Sequence, residues 1–195
     1  MFISLEGPDG VGKTTQVALL AERLRAAGVA VVECREPGGT DLGERVRALL
    51  LGGDVAISDR SEALLFAAAR AQLVDEVIRP ALAEGAWVVC DRFIDSSLVY
   101  QGVARGLGVE PVLGASLFAT GGLLPERTLV LEGTARRDAV PDRMEAAGEV
   151  FHARVSQGFG QLAGLYPERV LRIDASGAPA AVAARIWAVV APDVR

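Results

Sequence analysis

Histidine is almost missing from this chain, with His152 the only one among 195 residues. That excludes a His-rich metal site and argues against Ser-His-Asp hydrolysis and Cys-His proteolysis as its chemistry. Cysteine is scarce too. Cys34 and Cys90 each stand near the end of an apolar segment, which points to two separate buried thiols rather than a disulfide or a metal site. No stretch is long and apolar enough to cross a membrane, and no arginine run marks a nucleic-acid footprint. The opening residues, MFISLEGPDG, lack the basic, apolar and small-residue succession of a secretory signal. The expectation is a cytoplasmic protein with neither membrane nor nucleic acid among its partners. The rarest cation is lysine: of 20 Lys and Arg residues only Lys13 is a lysine, and the net charge is −5. A negative total does not preclude a local anion site, because net charge does not describe a cleft. Catalysis must draw on carboxylates, arginines, hydroxyls, backbone amides and that lysine.

What is present is an alternation of strands and helices. Apolar runs at 2–6, 29–35, 86–91, 127–133 and 169–174 read as five strands. Helical spacing covers 14–28, 42–51, 144–165 and 179–191, and one long helix runs over 58–85 with Asp59 and Glu62 at capping-box spacing. Residues 95–106 read as a loop leading into a short helix, and 107–126 carry no assigned element. The strands are nearly all apolar, as expected of a parallel sheet covered on both faces. The length suits one domain, 1–195. Ligands of such sheets gather at the carboxyl ends of the strands. The segments that follow those ends are the glycine loop, REPGGT, DRFIDSS and GTARRDAVPDR.

The glycine loop, residues 7–14, fits G-x-x-x-x-G-K-T between a strand and a helix. Its backbone amides, with the helix N-terminus, can cradle phosphates. Gly7, Pro8, Asp9, Gly10, Val11, Gly12, Lys13, Thr14 and Thr15 are the candidate ATP-binding residues. Lys13 is suited to reach the β- and γ-phosphates, and the Thr14 hydroxyl to ligate Mg²⁺. Lysine is a compact point charge on a thin stem, whereas guanidinium is a broad fork, so a tight phosphate loop keeps the lysine. Such a loop alone leaves GTPases, ATPases and small-molecule kinases open. Base-reading and switch motifs of a GTPase are not found.

Three segments suggest a second site. Phe66 and Arg70 lie four apart on the long helix and share a face. Arg70 there is surrounded by apolar residues, so it either snorkels, pairs with a carboxylate or binds a ligand. Asp91-Arg92 closes a strand, either as an ion pair or as part of a site. Ser97, Tyr100 and Gln101 have helical spacing and bring three polar groups together.

Together, FISLEGPDGVGKTT, REPGGT, LLFAAARAQLV, VVCDRFIDSSLVYQG, LVLEG and PDRME resemble the thymidylate kinases, a family of P-loop nucleoside monophosphate kinases. The resemblance runs over most of the chain. It implies an α/β P-loop kinase fold of three layers, with a five-stranded parallel sheet in the order 2-3-1-4-5 wrapped by helices. It implies transfer of the γ-phosphoryl group of Mg·ATP to dTMP, giving dTDP and ADP, by a homodimer. By the same resemblance Phe66 stacks on thymine, Arg70 bonds its carbonyl edge, and Ser97 and Gln101 lie near the base. Tyr100 crowds the sugar 2′ position, Arg92 and Arg35 hold the dTMP phosphate, and Asp9 lies near the sugar 3′-hydroxyl and the acceptor phosphate. Asp91 supports Mg²⁺ through water.

The chain departs from the family after its fourth strand. Family members without an arginine in the P-loop carry catalytic arginines in a lid. Here that lid is shortened to about 133–143, and Glu132-Gly133 replaces the usual Asp with an apolar neighbour. Arg136, Arg137 and Arg143 remain, with Arg143 and then Arg137 the first choices as catalytic cations beside Lys13, Asp9 and Arg92. Phe93 stands where Tyr or His is common. Two other readings stay open: a nucleotide-binding protein that has lost turnover, and a kinase for a different nucleoside or nucleotide.

Overall fold

A computed structural model describes residues 1–52, 55–134 and 143–194. Five parallel strands form one sheet in the order β2-β3-β1-β4-β5. They are β1 (Phe2–Glu6), β2 (Val31–Arg35), β3 (Trp87–Asp91), β4 (Arg127–Glu132) and β5 (Val170–Asp174). The central strand β1 is buried along its whole length, whereas the edge strands β2 and β5 are only partly covered. That gradient explains why the central strands read as unbroken apolar runs.

Helices α1 (Lys13–Ala26) and α8 (Pro179–Val190) cover one face, burying Ile3, Leu5, Leu20, Leu24, Leu129 and Ile186 together. On the other face Phe2, Val88, Cys90, Phe93 and Ile94 pack under α3 (Asp59–Leu73) and its continuation. At about 1.5–3 kcal/mol for each fully buried large apolar side chain, these two layers hold the strand ends in place. Helix α2 (Asp41–Leu51) is capped by the Thr40 hydroxyl, which accepts from the Gly43 amide at 2.9 Å.

The expected long helix is realised as α3, a π-helical stretch at Val74–Ile78, and α4 (Arg79–Ala83). Pro80 has no amide hydrogen for the preceding turn and its ring crowds the carbonyl behind it, which accounts for the widened turn before it. Ser58, rather than Asp59, caps α3. Glu62 is fully buried and turned inward, away from the capping role its spacing suggested.

Three further expectations need correction. Residues 94–104 are helical throughout, as α5 (Ile94–Ser97) running into a π-helical stretch, so no loop precedes the helix. Residues left without an element contain α6 (Val109–Thr120). The segment expected as one helix from 144 is a 3₁₀ turn, Glu145–Ala147, then α7 (Glu149–Leu165). Gly148 separates the two with φ of 92°, a conformation that glycine adopts without a Cβ penalty. Cys34 and Cys90 are free thiols in register on neighbouring strands β2 and β3; Cys90 is buried as expected, whereas Cys34 is only partly so.

Candidate active site

Parallel strands place all their carboxyl ends on one edge, and the functional segments converge there. β1 runs into the loop 7–12. Gly7 passes so close to β4 that an added Cβ would lie 2.5 Å from the Leu131 carbonyl oxygen, and its φ is 136°. Glycine is therefore required at the first position of the phosphate loop. Lys13 opens α1, is almost fully buried, and donates to the carbonyls of Gly7 at 3.2 Å and Pro8 at 2.7 Å. Burial, reinforced by repulsion from Arg92, pushes its ammonium down to about 7, against the opposing pull of Asp9, Asp91 and Glu6. Next to it the Thr14 hydroxyl donates to Asp91 at 2.5 Å. The two residues expected to hold Mg²⁺ are thus brought together. A hydroxyl and a carboxylate fit an ion that takes few protein oxygens and keeps its waters.

Arg92 sits on the turn after β3 with φ of 69°, the one described non-glycine residue at positive φ. Such a conformation persists only where the surroundings hold it. Its amide donates to the Leu5 carbonyl at 3.0 Å, and the next amide, Phe93, donates to Glu6 at 2.7 Å. Glu6 also accepts from the Ser96 hydroxyl at 2.5 Å, and Ser96 in turn accepts from Arg92 Nη1 at 2.9 Å. Burial, with repulsion from Asp95, raises the Glu6 carboxyl to about 8. The Arg92 guanidinium pairs with Asp9 and touches the Tyr100 hydroxyl at 3.2 Å, and that hydroxyl donates to Asp9 at 2.7 Å. Burial would raise the Asp9 carboxyl, but Arg92 and Lys13 outweigh it and hold the group below the usual carboxylate range.

Arg70 is the largest fully buried side chain and resolves its alternatives by pairing. It meets the Glu36 carboxylate at 2.7 Å, donates to Ser97 at 2.8 Å and Ser116 at 3.1 Å, and lies over the Phe93 ring. Burial raises the Glu36 carboxyl against the pull of Arg70.

These side chains line one cavity. Asp9, Phe66, Arg70, Arg92, Ser97, Tyr100 and Gln101 all face it, joined by Glu36, Arg47 and Met144. Arg35 is not among its lining residues. It pairs with Glu44 at 3.0 Å on the exposed side of the REPGGT loop. Arg47, which donates to the Pro37 carbonyl at 2.8 Å, supplies a cation to this wall. No motif marked it in the sequence, because its partner is a loop carbonyl ten residues back.

A second cavity lies on the other side of the same loop. Gly10, Val11, Gly12 and Thr15 line it, with Gln16, Thr134, Ala175, Ser176 and Gly177 of the β5–α8 connection, and Pro179 at the start of α8. Gly7 and Pro8 approach through their carbonyls to Lys13 rather than by lining it. The β5–α8 connection has no motif that sequence reading could have caught.

Of the expected lid arginines, Arg136 and Arg137 lie outside the described residues. Arg143 does not stand at the phosphate loop. It donates to the Leu50 carbonyl at 2.7 Å and to the buried Glu62 at 2.6 Å, beside the first cavity. Among the described residues no group of three or more His, Cys, Asp or Glu is arranged to hold a metal ion.

The thymidylate kinase family model matches residues 5–186. The chain belongs to the thymidylate kinase family. It is 54% identical to the thymidylate kinase of Synechococcus sp. (strain JA-3-3Ab) over 98% of this chain and 96% of that one. It is 50% identical to the thymidylate kinase of Deinococcus radiodurans, over 97% of this chain and 96% of that one. The crystal structure of thymidylate kinase from Ehrlichia chaffeensis superposes with a TM-score of 0.81 at 35% identity, covering 98% of both chains. The sheet order and the P-loop kinase architecture agree with this membership.

Proposed function

We infer that this thymidylate kinase family member transfers the γ-phosphoryl group of ATP to dTMP, giving dTDP and ADP in the supply of dTTP. The observation that carries this reading is the position of the phosphate loop between two cavities. Asp9 of the loop lines one of them, and Gly10 to Gly12 line the other. A donor triphosphate and an acceptor monophosphate can thus meet across a single loop, and phosphoryl transfer mainly requires positioning and charge neutralisation.

We propose the following roles. Phe66 stacks on the base, and Arg70, Ser97 and Gln101 present polar groups to it. Tyr100 packs beside the sugar and Asp9 accepts from its 3′-hydroxyl. Arg92 and Arg47 hold the acceptor phosphate, whereas the exposed pairing of Arg35 with Glu44 favours a supporting role for it in shaping the loop. Lys13 turns its ammonium to the transferred group, and the loop amides with Thr15 hold the donor phosphates. Thr14 and Asp91 would hold Mg²⁺, which neutralises phosphate charge when bound. Arg137 remains the lid candidate for added charge in the transition state. Arg143 we assign to the acceptor side, on the strength of its bonds to Glu62 and Leu50.

We also propose a homodimer in the cytoplasm, where ATP is at hand. Among the described residues no helix is long and apolar enough to cross a membrane. Phe118 on α6 is 92% exposed and Leu64 on α3 is 62% exposed, on two helices that pack together, which supports a second copy covering them.

The test is an ADP-release assay over dTMP, dUMP, dCMP, dAMP and thymidine. Preferred turnover of dTMP supports the reading. Nucleotide binding without turnover returns the chain to a binding protein, and preference for another acceptor makes it a different kinase.

A further inference from the structure

Gln101 lines the acceptor cavity and is otherwise sealed, at 1% exposure. Its Nε2 donates to Glu62 at 3.0 Å. Its Oε1 has no hydrogen-bond partner among the described residues. Yet the only solvent-sealed side-chain oxygen or nitrogen without a partner, among those residues, is Oε1 of Gln16. The Gln101 carbonyl is therefore reachable, and the opening available to so enclosed a residue is the cavity it lines.

The direction of that amide is imposed from behind. Glu62 is fully buried and receives Arg105 at 3.1 Å and Arg143 at 2.6 Å besides Gln101. Burial would raise its carboxyl, but the bonds from Gln101, Arg105 and Arg143 outweigh it and keep the group below its ordinary value. An ionised carboxylate only accepts hydrogen bonds. Rotating the Gln101 amide by half a turn would set its carbonyl oxygen against that carboxylate, acceptor against acceptor.

Arg70 completes the pattern. Its Nε serves Glu36, its Nη2 is shared among Glu36, Ser97 and the Phe93 carbonyl, and Nη1 serves Ser116. A guanidinium has five N–H donors, so one Nη1 hydrogen is left for the cavity. The wall offers an acceptor from Gln101 and a donor from Arg70. Thymine and uracil present an N–H beside a C=O, the complement of that pair. Cytosine presents an acceptor nitrogen beside an amino group, the reverse.

We propose that Glu62 sets the base specificity of the acceptor site by fixing the Gln101 amide with its carbonyl oxygen toward the cavity. It acts through Gln101 and is a positioning residue. The proposal rests on the reading of this cavity as the dTMP site and names what selects its base.

The experiment measures kcat/KM for dTMP and dCMP, at saturating Mg·ATP, in the parent, in Glu62→Gln and in Glu62→Gln/Gln101→Glu. In Glu62→Gln the new amide can donate to Gln101, turning the Gln101 amino group to the cavity. The dTMP-to-dCMP ratio is expected to fall by at least about tenfold, the low end of losing one matched polar contact in a buried site, with KM for ATP little changed. In the double variant residue 101 has no amino group to present, and the ratio is expected back within a few-fold of the parent. A ratio that stays parental in Glu62→Gln, or falls and is not restored in the double variant, overturns the proposal. If Glu62→Gln alone is too unstable to assay, the double variant still decides, because it keeps one carboxylate of the pair. Loss of dTMP preference there overturns the proposal. A parent that phosphorylates no monophosphate brings down the cavity reading itself, and that result is seen before any substitution is made.

Discussion

At the scale of single residues, Lys13 meets two opposed demands. Its charge is wanted beside phosphates, but its place at the start of α1 is buried among carbonyls and next to Arg92. Below about pH 7 the ammonium is charged in both folded and unfolded chains, and the fold carries the full cost of burying it. Between about 7 and the ordinary lysine value of 10.5 the unfolded chain holds a proton that the folded one has shed, so this group makes the fold more stable as pH rises. Each unit of the shift corresponds to about 1.4 kcal/mol. Lys13→Met is therefore expected to melt at a higher temperature than the parent at pH 6, with the gap closing steadily toward pH 10, while turnover is lost. Melting curves of the two proteins over that range check it, and a gap independent of pH would show that the buried charge is not its source. The Glu6 carboxyl acts on its neighbours rather than on substrate. Glu6→Ala removes the acceptor of the Phe93 amide and of Ser96, which together hold the Arg92 turn. It should raise KM for dTMP by roughly tenfold, the cost of about one misplaced charged hydrogen bond, and leave KM for ATP within about twofold. Equal losses for both substrates would mean general loosening of the sheet.

At the scale of elements, the stretch entering α7 is fastened beside the first cavity. Arg143 joins the Leu50 carbonyl at the end of α2 to Glu62 on α3, and Met144 after it lines the first cavity. Arg143→Ala is expected to raise KM for dTMP by about 5- to 30-fold with a smaller change in kcat, since a wall of the binding cavity is released. Steady-state kinetics at varied dTMP separates this from the alternative, in which kcat falls and KM holds. The same stretch shows where sequence was informative and where it stopped. The strands and the glycine loop with its one lysine were legible because each rests on local chemistry: apolar runs, glycine torsions and a strand-loop-helix context. Phe66 with Arg70 on one helix, and Ser97, Tyr100 and Gln101 on another, could each be seen to share a face, since helical spacing is also local. Glu62, Glu6 and Arg47 could not be picked out, because their meaning comes from partners 39, 87 and 10 residues away in the chain. Helix α6 was missed for a related reason. It is apolar on several faces, with Ser116 and Thr120 turned inward and Phe118 outward, so no amphipathic period marked it.

At the scale of the whole molecule, the exposed Phe118 ring argues for association through α6 and α3. Phe118→Asp is expected to shift the protein from dimer to monomer in sedimentation velocity, while the fold, whose core does not include this ring, keeps its circular dichroism spectrum. A parent that sediments as a monomer at micromolar concentration would remove the argument. The single lysine has a consequence that reaches beyond catalysis. Because it is buried, the exterior carries no ammonium side chain, and its cations are guanidiniums that keep their protons past pH 12. Most proteins lose positive charge steadily as surface lysines titrate near pH 10. This one has none to lose, so its electrophoretic mobility should change far less between pH 9 and 11 than that of a lysine-rich protein of equal charge. The field that its surface presents to ATP and dTMP, both anions, is in effect fixed by composition against alkaline drift.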